Sequence, residues 1–176
     1  MKAKMPNCAM GEWPALWMTT SGANISKDEL NYVQYDYDIE IDIMEKMSTV
    51  DSFQSQLHMW STKDSVESVT NILNTSNVKT FENSEVANDW HLYALKWTED
   101  TLEFYLDGEI YCTYNIPEEN KANFGVYMDL ILSMQYQVPS SDEENYFAEN
   151  ADSELSFEID YVRVYQNALT DSFLLK

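Results

Sequence analysis

The segment YDIEIDIME, Tyr37 to Glu45, sets three carboxylates close together: Glu40, Asp42 and Glu45. In a β-strand, side chains alternate between faces, so Glu40 and Asp42 project to the same side. Glu45 stands three residues beyond Asp42 and falls on the opposite side of a regular strand. A β-bulge at Ile43-Met44 would add one residue and return Glu45 to the face of the other two. Three carboxylates would then line one groove wall. Clustering like charges is costly, and repulsion raises the proton affinity of at least one of them. One ionised and one protonated carboxyl are what cleavage of a glycosidic bond needs. The plain alternative is a solvated strand face whose charges stay apart and partly neutralised.

The elements that must position this segment read as strands. HLYALKW (His91 to Trp97) alternates, with His91, Tyr93, Leu95 and Trp97 on one face. TLEFYLDGEIYCTYNI (Thr101 to Ile116) is two strands about Asp107-Gly108, a strong signal for a two-residue hairpin. VYMDLILSM (Val126 to Met134) is a nearly continuous apolar run and predicts a strand buried on both sides. SFEIDYVRVYQ (Ser156 to Gln166) alternates throughout its length. Ser21 to Asn31 reads as a loop or short helix, and the acidic Ser140 to Ser153 as a surface excursion. Many short strands, little helical periodicity and no internal repeat predict an all-β fold, a sandwich of antiparallel sheets.

Composition narrows the partners. The chain has 176 residues, enough for one domain with a real core. Its formal net charge of -21 would be repelled by nucleic acid or an anionic membrane surface, whereas a neutral polymer is not repelled. Twelve Tyr, seven Phe and five Trp suit either a β-rich core or a sugar-binding cleft. Cys8 and Cys112 lack the spacing of a zinc or redox site, and two unpaired thiols are expected. No transmembrane helix is expected, and the opening residues show no signal peptide.

EIDIME resembles the active-site signature of glycoside hydrolase family 16 in its laminarinase-like form, Glu-x-Asp-x-x-Glu. Further blocks follow in family order. MKAKMP and GEWPALWM resemble the strands before the signature, and LHMW (Leu57 to Trp60) the histidine-containing strand after it. DWHLYALKWTEDTLEFYLDGE (Asp89 to Glu109) resembles the family's His-x-Tyr-x-x-x-Trp hairpin, and IDYVRVYQ (Ile159 to Gln166) its closing strand.

The resemblance implies a concanavalin-like jelly roll and a retaining endo-β-glucanase acting on β-1,3 or mixed β-1,3/1,4 glucan. Glu40 would be the nucleophile, Glu45 the acid and then base, and Asp42 the residue that tunes them. Trp17 and Trp13 would stack on glucose rings. Tyr35 lies where relatives often carry a cleft Trp. His58 matches the cleft histidine, Trp60 shares its strand face, and Ser133 falls at a polar cleft position. Trp90, His91 and Trp97 are expected to pack structurally. MQYQVPSS departs from the Gly-rich stretch usual after Ser133. No metal or cofactor is expected in the site. Asp160 matches a residue that binds structural calcium in relatives, with a complete site not expected here.

By the same resemblance, residues 1–166 form a partial catalytic domain that begins inside a strand, and residues 167–176 are a tail. Leu130, Leu132, Val162 and Val164 would then leave apolar surface uncovered. The expected setting is extracellular or at the cell surface, and the expected state a monomer. A truncated, non-catalytic glycan-binding remnant is the alternative. The low positive charge, with Arg163 the only arginine, argues against sulfated substrates.

Overall fold

The structure, a computed structural model, describes residues 1–6, 8, 11–20, 37–46, 52–61, 69–71, 78–80, 89–125, 128–136 and 156–166. The expected loop or helix at 21–31, the acidic stretch at 140–153, Tyr35 and the tail at 167–176 lie outside these.

Strands dominate because alternating and β-branched runs dominate. They are β1 (Lys2–Lys4), β2 (Glu12–Thr19), β3 (Tyr37–Glu45), β4 (Ser52–Ser61), β5 (Val69–Asn71), β6 (Val78–Thr80), β7 (His91–Trp97), β8 (Thr101–Leu106), β9 (Glu109–Asn115), β10 (Asp129–Tyr136) and β11 (Glu158–Tyr161). One short helix, α1 (Lys121–Phe124), buries Phe124. One antiparallel sheet runs β11-β1-β7-β8-β9, and the other β10-β2-β3-β4-β5 with β6 also on β4. The fold is an all-β sandwich.

The core lies between the sheets. One sheet contributes Ala3, Tyr93, Leu102, Phe104, Leu106 and Cys112, the other Leu16, Ile39, Ile41, Ile43, Met44, Phe53, Leu57 and Met59. Phe53 meets Tyr93 edge-on with ring centroids 5.2 Å apart, the favoured aromatic geometry across the layers. Each such side chain contributes roughly 1.5–3 kcal/mol by leaving water. Cys8 and Cys112 are both buried free thiols.

The Asp107-Gly108 hairpin forms as expected, with Leu106 paired to Glu109. Both turn residues have positive φ, 50° and 90°, as a type I′ turn requires. Asp107 also ties the turn to β7: its Oδ1 accepts the Leu92 N–H at 2.8 Å, and its Oδ2 lies 2.7 Å from His91 Nδ1.

Two expectations need correction. The alternating run from 156 to 166 makes only a four-residue strand, β11. Its partner is the three-residue β1, so pairing ends early, and Val164 is 81% exposed. The apolar run around Leu130 is not buried on both sides either. Among the described residues its strand, β10, ends the sheet, and Leu130 and Leu132 are 39% and 43% exposed. Val162, by contrast, packs against the core.

Candidate active site

The carboxylates sit on β3, the third strand in the order of the second sheet. Against β4, Asp42 pairs with Gln56 and Glu45 with Gln54, so three steps on β3 match two on β4. Against β2, Trp17 pairs with Asp42 and the next residue back, Leu16, pairs with Met44. Ile43 is therefore the extra residue of a β-bulge. Ile43 and Met44 both belong to the core, and Glu45 returns to the face that holds Glu40 and Asp42.

That face is built from alternate residues of four strands. Ser133 on β10 stands opposite Ala15, and Trp13 and Trp17 flank Ala15 on β2. Gln54, Gln56 and His58 on β4 stand opposite Glu45, Asp42 and Glu40. His58 Nε2 lies 3.2 Å from Asp42 Oδ2 and 3.9 Å from Glu40 Oε1. Glu45 is held from two sides: Gln54 Nε2 donates to its Oε1 at 2.6 Å and the Trp13 indole N–H to its Oε2 at 3.2 Å. The Trp17 indole N–H donates to Ser133 Oγ at 3.1 Å.

Burial and mutual repulsion shape the electrostatics. Glu40 is pushed up to about 7, first by burial, then by the charge of Asp42, with His58 opposing and Glu45 adding. Glu45 is also raised, first by burial and then by Asp42. The hydrogen bonds from Gln54 and Trp13, and then His58, pull it back. The two glutamates and Asp42 thus form an interacting set in which burial and mutual repulsion favour the protonated form of the glutamates. Such a set can supply an anion to attack and a proton to donate.

Among the described residues, Glu40, Asp42 and His58 form a group compact enough to hold a cation, with ligand atoms within 4.8 Å of one another. Asp160, which matches a calcium-binding residue of relatives, is half-exposed on β11 and pairs with Lys2 at 3.0 Å. Trp60 occupies the strand position opposite Asp38, and its side chain lies outside the described residues. Trp90 is 38% exposed with the Lys2 ammonium 5.4 Å above its ring, and Trp97 packs against the core.

Sequence reasoning passed over Gln54. It lies two residues before Gln56 and four before His58, so strand periodicity puts it on the same face.

The model of a family described as glycosyl hydrolases family 16 matches residues 1–163. A glucan endo-1,3-beta-glucosidase A1 of Niallia circulans is 27% identical over 94% of this chain, which spans 23% of that protein. The crystal structure of a laminarinase from Flavobacterium sp. UMI-01 aligns with TM-score 0.53 at 26% identity, covering 79% of this chain and 54% of that one. A kappa-carrageenase from Pseudoalteromonas carrageenovora aligns with TM-score 0.54 at 23% identity, over 78% of this chain and 50% of that one, a likeness of fold. Among the described residues, no helix is long and apolar enough to cross a membrane.

Proposed function

The chain belongs to glycosyl hydrolases family 16, and from that premise we propose that it carries the catalytic carboxylates of a retaining endo-β-glucanase. The substrate is a β-1,3 or mixed β-1,3/1,4 glucan met outside the cell or at its surface, by a protein acting as a monomer. The observation that carries this reading is the bulge at Ile43, which puts Glu45 on the face of Glu40 and Asp42.

In this mechanism Glu40 attacks the anomeric carbon as an anion, forming a glycosyl-enzyme, while Glu45 gives its proton to the leaving oxygen. Glu45 then takes a proton from water as that water displaces Glu40. The Gln54 and Trp13 donors fix the plane of the Glu45 carboxyl, and a fixed acid needs no search at the moment of transfer. Asp42, beside His58, raises the proton affinity of both glutamates and so favours a proton on them. Trp13 and Trp17, partly exposed on the same face, offer ring surfaces for sugar stacking.

The site residues named here include no lysine or arginine. Arg163 lies on the other sheet's side of the chain, its guanidinium over Tyr161 at 4.2 Å. That supports a neutral glucan over a sulfated galactan. The test is release of reducing ends from laminarin, mixed-linkage glucan and carrageenan. Release from a glucan and none from carrageenan is expected. Binding of laminarin without any release would favour the glycan-binding remnant instead.

A further inference from the structure

We propose that Ser55 and Tyr111 are positioning residues, a buried and a partly buried hydroxyl that hold the Ile43 carbonyl and so fix the bulge that presents Glu45. The inference rests on the functional reading above and extends it to groups that never touch substrate.

The bulge creates a problem in the backbone. Ile43 is paired with no residue of β2 or of β4. It is also buried, at 6% exposure, and a buried carbonyl without a partner is unfavourable. Two side chains converge on it. Ser55 Oγ donates to Ile43 O at 2.8 Å, and Tyr111 OH lies 3.3 Å from the same oxygen. The two hydroxyls are also hydrogen-bonded to each other.

Both residues sit where they would not otherwise be expected. On β4, the core-facing row is Phe53, Ser55, Leu57 and Met59, and Ser55 is fully buried among apolar neighbours. Tyr111 comes from the other sheet. Phe104 pairs with Cys112 and Tyr105 with Ile110, so Tyr111 is itself the extra residue of a second bulge, on β9. That bulge turns both Tyr111 and Cys112 inward, and the Tyr111 ring stands edge-on to Phe53 at 5.4 Å. Two bulges thus face each other across the sandwich, and the hydroxyl of one reaches the carbonyl freed by the other.

Each hydroxyl has one proton. In the arrangement with the shorter bond to the carbonyl, Ser55 donates to Ile43 O and Tyr111 donates to Ser55 Oγ. Removing Ser55 Oγ leaves Tyr111 able to donate directly, and removing Tyr111 OH leaves Ser55 in place. Each single variant keeps part of the brace, and only the double variant loses it.

The test follows the Trp13 indole N–H, which reports its bond to Glu45, by NMR over a pH titration of the whole chain. The Trp17 indole N–H, bonded to Ser133, is the control. Ser55→Ala and Tyr111→Phe are expected to move the Trp13 signal slightly, and the double variant to move it more than the sum while Trp17 stays. If the double variant does not fold, the singles decide, with Ser55→Thr, which keeps a hydroxyl, restoring the parent signal. An unmoved Trp13 signal in folded variants would overturn the proposal. Where the chain hydrolyses a β-glucan, whose leaving group needs the acid, kcat is expected to fall roughly ten- to hundredfold in the double variant, and release of a good aryl leaving group by much less. That fall should vanish in a Glu45→Ala background, and an equal fall in both backgrounds would overturn the positioning role. Absence of any hydrolysis counts against the enzyme reading alone, since the indole signals still decide the brace.

Discussion

Glu40 and Glu45 share a strand face but not a set of neighbours. Among the described residues, Glu45 accepts hydrogen bonds from Gln54 and Trp13, whereas the near neighbour of the Glu40 carboxyl is His58 at 3.9 Å, so Glu45 is the more firmly held of the two. The proposed roles predict different losses. Glu45→Ala should keep much of its first step on substrates with good leaving groups, which need little acid help. Glu40→Ala should lose both steps by orders of magnitude, because no covalent intermediate forms. Equal behaviour of the two variants on activated and natural substrates would reject the division. A second prediction needs no turnover. Glu40 titrates at about 7 in the folded protein and near 4.5 unfolded. The fold therefore binds the extra proton between these values, and the stability it contributes is full below 4.5 and is lost as pH rises through 7. Glu40→Gln should stabilise the protein by on the order of 2 kcal/mol at pH 8 and by almost nothing near pH 4, measured by denaturant melts. The shared face of the three carboxylates was legible from strand alternation and one bulge, whereas their proposed roles came from the family resemblance. Gln54 was less so, since an amide has meaning only once its partner is known.

The bulge on β3 was legible for a related reason. Three acids fit one face only if a period-two strand gains a residue, so the functional reading itself demanded the irregularity. The bulge on β9 left no such trace, because Tyr111 and Cys112 are both acceptable on either face of a strand. Ser55 did leave one: a serine in a row of Phe53, Leu57 and Met59 breaks the apolar pattern. Because Tyr111 can still donate to the carbonyl, changing Ser55 to alanine should cost only about 0.5–1.5 kcal/mol, the net worth of one hydrogen bond. The hairpin between β8 and β9 was readable from two letters, and its energetics can be isolated. A Cβ placed on Gly108 would meet nothing within 4 Å, yet its φ of 90° is one that other residues avoid. Gly108→Ala should therefore destabilise through the backbone alone, by about 1 kcal/mol, with no change in the Trp13 indole signal. A neutral result in thermal melts would mean that the turn relaxes to another type. Edge position was the feature least legible at this scale. The apolar run of β10 looks the same in sequence whether it lies in the middle of a sheet or at its margin.

At the scale of the whole molecule, the core is uneven. Leu57 and Phe104 are fully enclosed, whereas the edge strands show apolar residues on the side of the sheet that faces the core. Leu132 stands opposite Leu16 and Leu130 opposite Met18, both members or neighbours of the core cluster, so the four share a face. Leu16 is 3% exposed and Leu132 43%, which marks where cover ends along that face. Ile159, paired with the buried Ala3 on β1, is 38% exposed at the edge of the other sheet. Exposed apolar surface beside an unpaired strand edge favours association. The net charge of -21 opposes it by mutual repulsion, which salt screens beyond roughly 10 Å at 0.1 M. These two terms predict self-association that grows as salt is added, the reverse of a protein held together by surface ion pairs. They also predict that Leu130→Thr with Leu132→Thr suppresses the association and the binding of an apolar dye. Stability should then change by no more than about 0.5 kcal/mol per site, as at ordinary surface positions. Leu57→Ala, fully buried one strand away from the clustered carboxylates, should instead cost about 2–5 kcal/mol. Sedimentation at low and high salt, with melts of the same samples, separates these outcomes. A large loss of stability in the threonine pair would mean that β10 is covered in solution, and salt-independent sedimentation would mean that charge is not what keeps the molecules apart.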